Sequence, residues 1–151
     1  MSVEQLETPA RVYNPGRTAA WLAKQVELGL ATVDLSLSQY RILAILAEGS
    51  AQSSSLAERL AVRPPSVTAV IDGLVSRGLV ERAHREDDRR RVALELTTQG
   101  QELLASADRA VNDRLEQIAG ALGAKAGSRA LACLARWHDA MVSYRAARAK
   151  S

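Results

Sequence analysis

Residues 54–100 read SSLAERLAVRPPSVTAVIDGLVSRGLVERAHREDDRRRVALELTTQG, and this stretch decides the fold. Leu56 to Leu60 has the spacing of a short helix, and Ala61 to Arg63 makes a turn. Pro64-Pro65 then opens a second helix running to about Arg77, since proline suits a first helical turn. Gly78 ends it, as a glycine just past a helix commonly does. Leu79 and Val80, then Val92, Leu94 and Leu96, read as two strands, the second alternating in side-chain direction. The charged loop between them carries Asp88, Arg89, Arg90 and Arg91. The order is a helix-turn-helix followed by a hairpin, or wing. Leu56, Ala57, Leu60, Val62, Val67 and Val70 are the positions that face inward when two such short helices cross.

Outward from this stretch the chain reads as helices. Asn14-Pro15 is a helix start, Asn suiting the N-cap and Pro the first turn. Ala19, Leu22, Val26, Leu30 and Val33 follow at helical spacing, with Trp21 beside them. Ser38 suits the cap of a second helix whose apolar positions Ile42, Leu43, Ile45 and Leu46 end near Gly49. Beyond the hairpin, Thr98 to Gln101 fits a capping box, with Thr97 as an alternative cap. A long helix then carries Leu104, Val111, Leu115, Ile118 and Leu122 on one stripe until Gly123 breaks it. A last helix carries Leu131, Leu134, Trp137, Met141 and Tyr144. The fold class is therefore mainly α with a small β-hairpin wing.

Composition agrees. At 151 residues, with 47% apolar and 25% charged residues, the chain is long enough for one domain with a real core. Aromatics are 3% and Phe is absent, so the core is built from Leu, Val, Ile and Ala. A net charge of +3 permits nucleic-acid binding without demonstrating it. One cysteine excludes an internal disulfide framework. The N-terminus lacks the pattern of a secretory leader, and no apolar run approaches the ~20 residues of a membrane span. A soluble cytoplasmic protein is expected. Neither a metal cluster around His84, His138 and Cys133 nor paired carboxylates or a Ser/His/Asp arrangement stands out. No cofactor, no metal and no enzymatic activity are expected.

A helix-turn-helix with an arginine-bearing wing points to double-stranded DNA. The outward face of the second helix offers Arg63, Pro65, Ser66 and Thr68 to phosphates and base edges, and Arg77 at its far end. Thr68 and Ala69 can also meet a thymine methyl. The two prolines remove amide donors and so weaken anion binding by the helix end. In the wing, Arg89, Arg90 and Arg91 suit a narrow minor groove, with Asp88 able to orient a guanidinium.

The ordered series Leu37-Ser38-Gln39-Tyr40, Leu56-Ala57-Glu58-Arg59-Leu60, Ser66-Val67-Thr68, Gly78-Leu79-Val80-Glu81-Arg82, Asp88-Arg89-Arg90 and Leu96-Thr97-Thr98-Gln99-Gly100 resembles the MarR family of winged-helix transcriptional regulators. The resemblance covers about residues 35–104. It implies a single MarR-type domain over 1–151. Within it, a winged-helix DNA-binding lobe spans about 35–100, and dimerisation helices span about 12–34 and 101–150. It implies a homodimer on a pseudo-palindromic operator, with Asp88 and Arg90 matching the wing's Asp-x-Arg pattern. It also implies a repressor released by a small, often phenolic, molecule bound between the dimer region and the lobe. Two positions depart from the family: Ala61 stands where glycine is frequent, which a helical-region backbone tolerates, and Ala69 where a longer polar or basic residue is common.

The residues themselves also ask for a partner, because apolar stripes on the terminal helices exceed what a small lobe can cover. For an effector pocket, Trp21, Gln25 and Tyr40 are the candidates, with Arg41 or His84 to neutralise a carboxylate. Cys133, between Ala132 and Leu134, reads as a small buried apolar residue, with thiol-redox sensing as an alternative helped by Arg129 and Arg136. A winged-helix module that binds an acidic protein instead of DNA is the remaining rival. Inducer, operator and regulated genes are not legible in the sequence.

Overall fold

The computed structural model describes residues 14–84 and 92–148. Six helices and one hairpin follow in the order α1 (Pro15–Ala31), α2 (Leu37–Ala47), α3 (Ser53–Leu60), α4 (Pro64–Ser76), β1 (Val80–His84), β2 (Val92–Leu96), α5 (Thr98–Gly120) and α6 (Ala124–Arg148). The strands are antiparallel, with Val80 opposite Leu96 and His84 opposite Val92. An isolated bridge from Ala51 to Leu94 ties the α2–α3 connection to the sheet.

Local chemistry accounts for the element ends. Asn14 Oδ1 accepts from Arg17 N–H at 2.9 Å and starts α1. The cap of α2 is Ser36, two residues earlier than expected. Gln39 N–H donates to Ser36 Oγ (3.2 Å) and Ser36 N–H donates to Gln39 Oε1 (2.9 Å), a reciprocal pair that Ser38 has no glutamine to make. The polar run ahead of Leu56 is already helical, so α3 begins at Ser53. β1 likewise runs on to His84, well past Val80. Of the two threonines, Thr97 caps α5: it accepts from Gly100 N–H at 3.0 Å and its hydroxyl donates to Gly78 O at 2.7 Å.

Two of the turn expectations change. Ala61 is left-handed, with φ 53 and ψ 43, not helical. Val62 N–H donates to Ala57 O (3.2 Å) and Ala61 N–H to Glu58 O (3.1 Å), the pair of bonds that closes a helix on a left-handed residue. Glycine takes that backbone freely, whereas an L residue does so at a cost of about 1–2 kcal/mol. The same turn carries Val62 outward, 43% exposed, in place of the inward position expected. Gly78, with φ +70, closes α4 by the same bond pattern to Leu74 O and Val75 O, as expected.

The core lies between α2, α3, α4 and the hairpin, with Leu30 of α1 and Leu104, Ala107 and Val111 of α5 joining it. Ile42, Leu43, Leu56, Ile71, Leu74, Leu79 and Leu94 are almost wholly buried; on α4, Ile71 and Leu74 join the expected Val67 inside, while Val70 is only partly buried. α5 spans the molecule, packing on α1, α2 and α6. Two polar contacts fasten it: the Tyr40 hydroxyl donates to Asp108 Oδ1 (2.6 Å), and Arg114 Nε donates to Gln25 Oε1 (2.9 Å). α6 packs on α5 alone among its main contacts and leaves Leu134, Trp137, Met141 and Tyr144 exposed. No described helix is long and apolar enough to cross a membrane.

Two outcomes follow from this packing. A Cβ on Gly100 would sit 2.1 Å from the backbone oxygen of Leu79, which no side-chain motion relieves. Gly100→Ala is expected to lower unfolding stability by about 2–3 kcal/mol, read as a shift in the urea midpoint; a loss below about 0.5 kcal/mol would contradict the close approach. For Tyr40, burial, the Asp108 hydrogen bond and the Asp108 charge push the phenol above its ordinary value of 10.0. A raised phenol favours the folded state fully below pH 10, and that contribution is lost as pH rises past it. Tyr40→Phe should therefore cost about 1 kcal/mol at pH 7 and flatten the fall in stability above about pH 10. Equal slopes in the two proteins would show that Tyr40 is not held protonated by its surroundings.

Candidate nucleic-acid interface

The second helix of the bihelical unit, α4, turns Val67, Ile71 and Leu74 into the core and leaves Pro65, Ala69, Asp72 and Ser76 along its exposed side. Arg63, Ser66 and Thr68 flank that side near its N-terminal end, and all three are exposed. The helix starts on Arg63 with no side-chain cap, prolines fill N1 and N2, and Ser66 N–H donates to Arg63 O at 3.1 Å. The first turn therefore presents no free amide at these three positions, and its recognition chemistry rests on side chains. The Thr68 hydroxyl donates to Pro64 O at 3.1 Å, so what it keeps for a partner is lone pairs and a methyl group.

The base of the wing is fixed to that same exposed side. Arg82 of β1 donates through Nη2 to Asp72 Oδ1 at 2.6 Å, joining the hairpin to α4. Both partners are about half exposed, so the pair contributes little to stability. Its consequence is geometric: it sets the strand beside the helix. Sequence reading missed this contact, because opposite charges ten residues apart across a turn carry no spacing signal. Asp88, Arg89, Arg90 and Arg91 lie outside the described residues, as does the side chain of His84. Among the predicted contacts, the structure brings Arg63, Pro65, Ser66 and Thr68 together. Arg77 stands at the opposite end of α4, where its Nη1 donates to Asp34 O at 2.9 Å.

The residues expected to line an effector pocket are dispersed. Trp21 stands 72% exposed on α1, Gln25 is engaged by Arg114, and Tyr40 is engaged by Asp108. Tyr40 also lines a groove of about 400 Å3 between α2, α3 and α6, together with Arg41, Arg59, His138, Tyr144 and Arg145. A second, apolar cavity of about 490 Å3 lies between α1, α5 and α6, walled by Leu22, Leu115, Ile118, Leu131, Leu134 and Trp137. Cys133 is exposed on α6, not buried as its apolar neighbours suggested. Among the described residues there is no group of three or more His, Cys, Asp or Glu able to hold a metal ion.

Comparison with known proteins places this geometry. The model of the MarR family matches residues 35–92, which span α2, α3, α4 and β1. An HTH-type transcriptional regulator of Mycobacterium bovis is 38% identical over 97 residues, 64% of this chain and 68% of that protein. Wild-type MarR from E. coli in its apo form superposes with a TM-score of 0.70 at 22% identity, covering 83% of this chain and 97% of that one. The transcriptional repressor CouR bound to a 23-mer DNA duplex superposes with a TM-score of 0.67 at 26% identity, covering 82% of this chain and 88% of that one. With the winged helix-turn-helix and these likenesses in hand, the chain belongs to the MarR family and is a DNA-binding transcriptional regulator.

Proposed function

We propose that the chain is a repressor that binds a pseudo-palindromic operator as a homodimer, one winged lobe on each half-site, and is released by a small aromatic effector. The observation that carries the reading is the exposed side of α4, with Arg63, Ser66 and Thr68 near its N-terminal end and Asp72 further along joined to the hairpin by Arg82. CouR, with the same architecture, is a repressor seen on a DNA duplex. In this chain a lobe from each subunit would lay α4 in the major groove, with half-sites one turn apart, about 34–36 Å. The contacts assigned are Arg63, Pro65, Ser66 and Thr68 on the helix and Asp88, Arg89, Arg90 and Arg91 on the wing. Arg90 is the minor-groove residue and Asp88 its orienting carboxylate.

The dimer reading draws on what a single subunit leaves uncovered. Trp21, Ile118, Leu134, Trp137 and Met141 are exposed on the three terminal helices and Leu122 on the α5–α6 connection; Ile118, Leu122, Leu134 and Trp137 also line the apolar cavity. So many large apolar side chains left exposed on neighbouring elements are unusual on a monomer and normal at an interface. An isologous pair covers it twice and supplies the two-fold axis that a pseudo-palindrome mirrors. These helices, about 12–34 and 101–150, are the dimerisation segments, and about 35–100 is the DNA-binding lobe. For the effector, the groove lined by Tyr40, Tyr144 and Arg145, where Arg59 is already paired with Glu48, sets aromatic residues beside a guanidinium, which suits a small phenol.

Anisotropy titrations over a salt series test the DNA reading, using the duplex that the full-length protein enriches from a random-sequence library. Arg90→Ala is expected to weaken binding at least about tenfold and to lower the salt slope by about one. Unchanged affinity and slope would remove the wing assignment and favour an acidic protein partner. Trp137→Glu should shift the protein from dimer to monomer in sedimentation and abolish tight duplex binding; a wild-type protein that sediments as a monomer at micromolar concentration would sink the dimer.

A further inference from the structure

Arg77 caps the C-terminal end of α4, and its guanidinium reaches across 43 positions of sequence to the joint between α1 and α2. Nη1 donates to Asp34 O at 2.9 Å, and Nη2 lies 3.6 Å from Asp34 Oδ2. Asp34 is left-handed, with φ 54, and it closes α1: Leu35 N–H donates to Leu30 O (3.2 Å) and Asp34 N–H to Ala31 O (3.4 Å). Those bonds fix the direction of the backbone around Asp34. The Asp34 carboxylate is 99% exposed, so the charged contact is screened and contributes little energy. What remains is a directional bond from the rear of the recognition helix to the end of α1.

That bond matters because of what α4 otherwise touches. Its main packing partners are α2, α3 and β1, while α1 packs on α5 and α2. α4 thus meets the terminal helices chiefly through intermediaries. We propose that Arg77 is a positioning strut which pins the rear of α4 to the end of α1 and so sets the spacing between the two recognition helices of a dimer, without touching DNA. The proposal rests on the dimeric DNA-binding reading above and reassigns Arg77 from the contacts expected of the sequence. Leverage makes one hydrogen bond sufficient. A helix of 13 residues is about 20 Å long, so a tilt of about 10° at the pinned end carries the other end about 3.5 Å, close to one base-pair step.

The experiment uses the full-length protein and its library-enriched duplex, with one or two base pairs inserted or removed between the half-sites. The wild type should lose about tenfold in affinity or more for each changed spacing, because two rigidly spaced lobes cannot both dock. Arg77→Met should compress that discrimination to about threefold or less, with the salt slope unchanged. A uniform loss on every spacing, with the slope reduced by about one, would make Arg77 a phosphate contact and overturn the strut. Unaltered spacing discrimination would overturn it as well. Asp34→Asn keeps the carbonyl and should behave as wild type.

A readout without DNA separates this proposal from the reading it rests on. Amide exchange in segments 31–35 and 74–79 should quicken in Arg77→Met at unchanged global stability. If the wild type enriched no duplex, the DNA-binding reading would fall while this measurement still judged the strut. Unchanged exchange in both segments would sink it.

Discussion

At three levels along α5 a neighbouring backbone lies close, and at two of them so close that little more than a hydrogen fits between. At the first turn, a Cβ on Gly100 would meet Leu79 O at 2.1 Å; in the middle, one on Gly29 would meet Ala110 O and Val111 Cα at 3.2 Å; at the far end, one on Gly127 would meet Ala119 O at 2.5 Å. These approaches join the hairpin, α1 and α6 to a single rod. Ala107, wholly buried between the first two, keeps the same side of α5 slim. Close-packed backbones leave no room for gradual adjustment, so the winged lobe and the terminal helices share one rigid reference. Polar contacts then fix rotation about that rod, with Tyr40 on Asp108 and Gln25 under Arg114.

Much of this frame is legible in the sequence, because its causes are local or periodic. Leu56, Leu60 and Val67 declare themselves through spacing, and Gly78 through the need for positive φ at a helix end. The alternation of Val92, Leu94 and Leu96 yields the second strand. Errors fall where two local signals compete. Ser36 and Ser38 both suit a cap, and only the partner three residues on, Gln39, decides for Ser36. Ala61 hides a left-handed turn because alanine carries no positive-φ signal; the two hydrogen bonds behind it impose the backbone, and Val62 is turned outward as a result.

The long-range ties are of another kind. Tyr40 and Asp108 stand 68 positions apart, Arg77 and Asp34 stand 43 apart, and nothing in either residue type names its partner. A charge or a phenol read along the chain looks like a contact for an external ligand. Tyr40 reads as a pocket residue and Arg77 as a DNA contact for that reason. Folded, each has an internal partner, Tyr40 while still lining the groove between α2, α3 and α6. The exposed side of Cys133 was hidden by the same limit: apolar neighbours along a helix say nothing of whether that face finds a cover within one subunit.

The character of the recognition face explains why such positioning carries weight. Along the middle of α4's exposed side stand Pro65, Ala69 and Asp72, and the one charge among them is already matched by Arg82. A face of that composition offers a duplex methyl groups, a ring edge and hydroxyl lone pairs, without the bidentate side chains that discriminate bases most strongly. Affinity must then come from arginines at the margins, which hold phosphates and narrow grooves with little regard to sequence. On the proposed dimeric reading, discrimination is left to geometry: how far apart the two copies of α4 are held, and at what angle to their wings. A regulator built this way selects its site by the spacing and shape it is rigid enough to impose. The small residues along α5 and the two side-chain ties in the C-terminal half of α4, Asp72 to Arg82 and Arg77 to Asp34, are the parts of the chain that hold this helix in place.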